Sequence, residues 1–230
     1  MGAEHRHSGS GELVAINLAQ VIETPPPVRG RVDVKPARTG IDKRPAQGPV
    51  SVRRLGVIGD TICDTKHHGG LDQAVYAYAE EDADWWQLQL AEELSFPLRP
   101  GAFGENLTTR GIDITRAVIG ERWRIGSTIL QVCSPRIPCS TFAAFWQVDQ
   151  LIKRYTAAGR PGAYLRVLTE GQLSAGDPIV VLDRPAHGLT VEQAFRGLTG
   201  DHSLAPLLVA APELPVEARA RAQRWLAAAG

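Results

Sequence analysis

The stretch best suited to chemistry is Ser134-Pro135-Arg136-Ile137-Pro138-Cys139. Each proline ring locks φ and removes an N–H donor, so the backbone approaching the cysteine is stiff. Cys139 then stands at the start of an aromatic, helix-like run from Thr141 to Tyr155. Unpaired N–H groups and the helix dipole at such a start favour a thiolate, and Arg136 adds a nearby positive charge. A cysteine held this way is a candidate nucleophile or metal ligand. The same residues also admit a buried, inert thiol, the common fate of an intracellular cysteine.

Three other groups carry polar chemistry. His68-Gly69-Gly70 places two glycines after a histidine, which permits a sharp turn or close backbone approach to a ligand. Glu105-Asn106 follows Gly101-Ala102-Phe103-Gly104, so the Glu either closes a buried hydrogen-bond network or touches a ligand. Between Arg29 and Lys66 nine Lys or Arg face four Asp, Arg44 and Arg54 among them, which reads as an anion-binding face or a solvated surface. Cys63 with His67 and His68 makes a poor zinc site, because no fourth ligand stands at a familiar spacing. Cys133, six residues before Cys139, reads as core.

These groups need elements to hold them. Leu13–Ile22, Val50–Val57, Val75–Tyr78, Ala163–Leu168 and Ile179–Leu182 read as strands, and Gly126-Ser127 marks a hairpin between 122–125 and 128–132. Glu80–Leu94 reads as a helix with Ala83, Trp86, Leu90 and Leu94 on one face and its six acidic residues solvated. A further helical stretch runs from Thr141 to Ala158. After Pro185 the character changes: Thr190-Val191-Glu192-Gln193 has the form of a capping box, and two more helical segments, 203–210 and 216–229, follow. The expected organisation is a disordered leader over 1–11, a β-rich domain over 12–185 and a small three-helix domain over 186–230.

Composition narrows the function classes. Of 230 residues, 43% are hydrophobic and 22% charged, so a genuine core is expected. Lys plus Arg equals Asp plus Glu at 25 each, which gives no basic excess for nucleic acid. The 3 cysteines form no disulfide framework, which fits a reducing compartment. No segment approaches the length of a membrane span, and no apolar signal core stands at the N-terminus. The expectation is a soluble cytoplasmic protein.

Taken in order, the motifs resemble those of MOSC-domain proteins, named after the C-terminal domain of molybdenum cofactor sulfurase, and more narrowly their YiiM-type branch with a three-helix tail. The matching segments are Thr39-Gly40-Ile41-Asp42-Lys43-Arg44-Pro45, Gly59-Asp60 and His68-Gly69-Gly70 with Asp72, Ala74 and Tyr76. Pro100-Gly101-Ala102-Phe103-Gly104-Glu105-Asn106-Leu107 and Ile119-Gly120-Glu121-Arg122 follow, then Pro135-Arg136-x-Pro138-Cys139 and Gly162-Ala163-Tyr164-Leu165-Arg166-Val167-Leu168.

The resemblance implies a mainly β, barrel-like body with a few helices and a cofactor cleft. It implies that Cys139 ligates molybdenum carried on a phosphate-bearing pyranopterin dithiolene, a pairing that suits a soft thiolate. The basic residues Arg44, Arg54 and Arg136, with His68, Gly69, Gly70, Glu105 and Asn106, are then the candidate cofactor-binding residues. Related proteins reduce N-hydroxylated compounds, such as N-hydroxylated purines, to amines. This chain shows no four-cysteine iron–sulfur pattern and no Gly-x-Gly-x-x-Gly loop after a strand, so the expected electron donor is a separate flavin or iron–sulfur protein. Two other readings use the same residues: a sulfur carrier with a persulfide on Cys139, and a cofactor-binding module without turnover.

Overall fold

The computed structural model describes residues 10–23, 38–94 and 96–229. Nine of the ten N-terminal leader positions before Gly11, and Arg29 and Lys35 of the basic third, lie outside them. The first half of the chain carries β1 (Ser10–Ala19), β2 (Ile22–Glu23), β3 (Arg38–Thr39), β4 (Lys43–Pro45), β5 (Val50–Arg53), β6 (Gly56–Val57), β7 (Val75–Ala79), α1 (Glu80–Gln89) and β8 (Leu107–Arg110). The second half carries β9 (Arg122–Ile125), β10 (Thr128–Pro135), α2 (Ser140–Trp146), α3 (Leu151–Ala158), β11 (Ala163–Thr169), β12 (Gly171–Leu173) and β13 (Pro178–Asp183). The tail is α4 (Val191–Thr199), α5 (Ala205–Ala210) and α6 (Val216–Ala229). Ser10 and Gly11, expected in the leader, already pair with Val180 and Ile179.

Seven strands close into a barrel in the order β1-β8-β7-β11-β10-β9-β13, and β13 returns to β1. Closure removes the exposed sheet edges that an open sheet of this size presents. β7 and β8 run parallel; the other barrel neighbours are antiparallel. The interior is filled by Leu13, Leu107, Trp123, Leu130, Val132 and Leu165. Leu189, Ala194, Leu208 and Leu214 of the tail belong to the same apolar cluster, so the helices extend the barrel's core.

β7 organises what lies outside the barrel. All five of its residues are buried. Val75, Ala77 and Ala79 join the barrel cluster, while Tyr76 and Tyr78 point the other way into an aromatic cluster with Trp86, Phe103, Phe142, Trp146 and Tyr155. The alternation read from the sequence therefore serves two cores, because successive strand side chains face opposite sides.

Val50–Val57, expected as one strand, is the antiparallel β5–β6 hairpin, turned at Arg54-Leu55. Three helical expectations also needed correction. The run from Thr141 to Ala158 is two helices, split where Gln147 and Gln150 take left-handed φ values of 55° and 52°. Neither is a glycine, so no local signal marked the break; it lets Val148 and Leu151 reach the aromatic cluster. α1 stops at Gln89, short of Leu94. Its acidic face is not wholly solvated either, because Asp82 is buried against Arg160.

Candidate cofactor site

A cavity of about 370 Å³ opens on the outer side of β7, within the usual size range of small-molecule sites. Its walls come from four places. Gly40, Ile41 and Lys43 lie around β4; Asp60 to Asp64 form a loop; His68, Gly69, Gln73 and Tyr76 lead into β7; Arg136, Cys139 and Thr141 follow β10. β10 delivers the chain to this wall, and Cys139 caps α2 with extended backbone, φ −121° and ψ 168°. The structure thus brings together Cys139, His68, Gly69, Asn106 and Arg136 on one wall.

The other candidates are placed elsewhere. Glu105 is buried behind the cavity, accepting from Gly101 N at 2.6 Å, Phe103 N at 3.0 Å and Thr108 Oγ1 at 2.8 Å. It shapes the loop whose Gly104 does reach the wall, where a Cβ would stand 2.7 Å from Ile41 Cδ1. Arg44 is exposed and pairs with Asp42 at 2.9 Å. Arg54 borders a separate shallow depression with Arg166 and Leu168. Gly70 is exposed, with φ 79° where a 3-10 turn over Leu71–Gln73 begins.

Anchors fix the loop that carries His68. The buried Cys133 thiol donates to the Asp72 carbonyl at 2.9 Å, and Arg166 pairs with the Asp72 carboxylate at 2.5 Å. Burial pushes the Cys133 thiol up to about 12, so it stays protonated and donates. Its expected place in the core is observed. Asp60, also on the lining, accepts from Ala19 N at 2.8 Å, from Asn106 Nδ2 at 2.8 Å and from the Lys43 ammonium.

The electrostatics of Cys139 run against its burial. Burial alone raises a thiol, yet the polar interaction with His68, the Arg136 charge and the Phe142 amide bring it down to about 6. His68 is raised in turn, chiefly by the Cys139 sulfur, against the opposing effect of burial. Each group thus favours the charged form of the other, the sulfur as thiolate and the ring as imidazolium. A thiol with a lowered pKa gains reactivity as pH rises and levels off above that value. Alkylation of Cys139 by iodoacetamide in metal-free protein, followed by peptide mass spectrometry, is therefore expected to have its midpoint near pH 6 rather than the ~8.5 of an ordinary thiol. His68→Gln should move the midpoint upward; a wild-type midpoint above pH 8 would exclude the pair.

The cavity fits a large polar heterocycle carrying a soft metal. Among the described residues no group of three or more His, Cys, Asp or Glu could cage an ion. The protein's share of a metal's ligands would be a single thiolate, with the rest coming from the bound group, as a dithiolene would provide. Two buried polar atoms on the wall have no partner: the donor Arg136 Nη1 and the acceptor Gln73 Oε1. Together they match a ligand edge bearing both an acceptor and an N–H donor. Gln73, Tyr76, Tyr164 and Thr141 were not singled out in the sequence as site residues, because nothing in the local pattern distinguishes them from other strand and turn residues. Their position on this wall is a product of the fold.

Residues 64–180 match the MOSC domain. The chain is 38% identical over 164 residues to the uncharacterized protein YflK of Bacillus subtilis (strain 168), covering 71% of this chain and 72% of that one. It is 30% identical over 156 residues to protein YiiM of Escherichia coli (strain K12), covering 68% and 69%. A protein of Gibberella moniliformis (strain M3125 / FGSC 7600) named reductase is 30% identical over 179 residues, 77% of this chain but 32% of its own length. Among solved structures, YiiM from Geobacillus stearothermophilus superposes with a TM-score of 0.73 at 27% identity, covering 94% of this chain and 99% of that one.

Proposed function

Because the chain belongs to the MOSC-domain family, we propose that its cavity holds a molybdenum–pyranopterin cofactor through Cys139 and that the loaded protein reduces N-hydroxylated compounds to amines. N-hydroxylated purines are the substrate class intended. The observation that carries the reading is the Cys139 sulfur: one thiolate favoured by His68 and Arg136, on a cavity wall that also presents an unpartnered buried donor and acceptor.

The bound cofactor supplies the two-electron redox chemistry. The chain's own residues bind and orient. Cys139 Sγ is the protein ligand to the metal. Arg136 Nη1 and Gln73 Oε1 hold polar edges of the occupant, and Gly40 and Gly104 let the lining loops pack closely, since a Cβ on either would meet Thr61 O or Ile41 Cδ1. His68, raised by the neighbouring sulfur, would hold the proton for a leaving hydroxyl oxygen. Each turnover consumes two electrons and two protons and releases water. A flavin or iron–sulfur protein is the proposed source of the electrons. The match to a fungal protein named reductase supports a reductive role.

Molybdenum analysis of protein purified from a molybdenum-competent host tests the reading. Near-stoichiometric metal in the wild type, falling to background in a folded Cys139→Ser variant, is expected. Metal-free protein bearing a persulfide on Cys139 would favour the sulfur-carrier reading. Turnover of N-hydroxyadenine with an artificial electron donor separates the enzyme from a binding module; loaded protein without turnover would leave binding alone.

A further inference from the structure

Arg136 is the least explained residue of the cavity wall. It is 4% exposed, yet it forms no ion pair with any carboxylate among the described residues. Its acidic neighbours are Tyr76, Tyr155, Tyr164 and Cys139. The three tyrosine hydroxyls are pushed up by burial and stay neutral. The guanidinium packs over the rings of Phe142 at 4.4 Å and Tyr76 at 5.4 Å, which offsets part of its desolvation. The guanidinium also reaches the Tyr155 and Tyr164 hydroxyls, but its Nη1 has no hydrogen-bond partner. A buried cation ordinarily needs an opposite charge, because desolvation of an ion costs several kcal/mol. The Cys139 sulfur sets a charge against the guanidinium, yet Nη1 stays unpartnered, whereas other cations near the cavity have a carboxylate: Lys43 has Asp60, and Arg44 and Arg99 share Asp42. Arg38, at the rim, is exposed and screened by water.

We propose that Arg136 makes this cavity selective for an anionic ligand, its Nη1 donating to a negatively charged oxygen of the group that lies beside Cys139. Charge, rather than ring shape alone, then decides what enters. The inference deepens the molybdenum reading and rests on it for the natural occupant, while its test reads only the charge preference of the metal-free cavity.

The test compares two alkylating agents of similar size, iodoacetate and iodoacetamide, at Cys139 of metal-free protein, with peptide mass spectrometry separating Cys139 from Cys63. Both agents attack the same thiolate, so the ratio of their rates cancels the thiolate fraction. In the wild type the iodoacetate-to-iodoacetamide ratio should exceed that of the urea-unfolded chain by about tenfold, the lower range of charge focusing in a cleft. Arg136→Lys should keep most of the preference and Arg136→Met should lose it. Molybdate or sulfate should slow iodoacetate more in the wild type than in Arg136→Met. A wild-type ratio equal to that of the unfolded chain overturns the proposal without any variant, as does a preference retained by folded Arg136→Met. Anion preference in protein that never takes up molybdenum would support this inference while the cofactor reading fails; bound molybdenum without the preference would do the reverse.

Discussion

Glu105→Ala is expected to lower the melting temperature by about 10 °C. The carboxylate is 2% exposed and takes two backbone N–H groups and the Thr108 hydroxyl. Removing it strands donors in a dry interior at roughly 1–3 kcal/mol each, about 4 kcal/mol together after partial relaxation. For a chain of this size each 1 kcal/mol moves the midpoint by about 2–4 °C. Glu105→Gln should cost less, since its carbonyl still accepts, but it turns an NH₂ group toward a donor and cannot restore the wild type. Thermal unfolding followed by circular dichroism checks this; a shift of under about 2 °C for the Ala variant would show that water replaces the carboxylate. The loop it holds carries Phe103, stacked on Tyr78 at 3.9 Å, so slackening it also loosens the aromatic cluster behind the cavity.

The second large effect is expected at Asp60. Asp60→Ala leaves the buried Lys43 ammonium without its counter-ion, and removes the acceptor of Ala19 N and Asn106 Nδ2. Breaking one side of a buried pair costs about 3–5 kcal/mol, because the remaining charge is desolvated and unpaired. Lys43→Met alone should cost less than Asp60→Ala alone, since Asp60 keeps two neutral donors. The double variant should be less destabilised than the sum of the singles by about 2 kcal/mol, the sign of a direct pair in a double-mutant cycle. Urea unfolding of the four proteins measures it; strict additivity would show that Asp60 acts on Lys43 through the backbone only. Asp60 also opens the 60–64 loop of the cavity wall, so Asp60→Ala should weaken cofactor retention even where the barrel survives.

Both predictions concern residues that sequence reading treated unequally. Glu105 was a candidate contact to cofactor, and the alternative of a closed buried network was equally open from glycines on either side. The network is what the structure places there, because the 101–104 turn directs its own amides inward. Asp60 stood in a motif without a role, since its partners Ala19, Lys43 and Asn106 are 41, 17 and 46 residues away. Long-range pairing of this kind has no local signature. The basic third shows the same limit. Arg44 and Arg54 have the charge an anion site wants, yet one is taken by Asp42 and the other faces a different depression.

The sequence by itself determined the barrel's principal strands and the helical tail with its Thr190–Gln193 capping box, and it marked Cys139 as a candidate, because hydrophobic period, caps and proline stiffening are local properties of the chain. Ordered motifs added the family. Only the tertiary structure decided that His68 and Arg136 both act on the Cys139 sulfur and that Cys133 tethers the His68 loop. It alone showed that Arg136 is buried without a carboxylate, and that Gln73 and Tyr76 share its wall. Those facts depend on barrel closure, which carries β7, β10 and β11 together from distant parts of the chain and sets one face of β7 against a second, aromatic core. Burial, and with it the energy of every charge in the cavity, is a property of that assembly rather than of any segment.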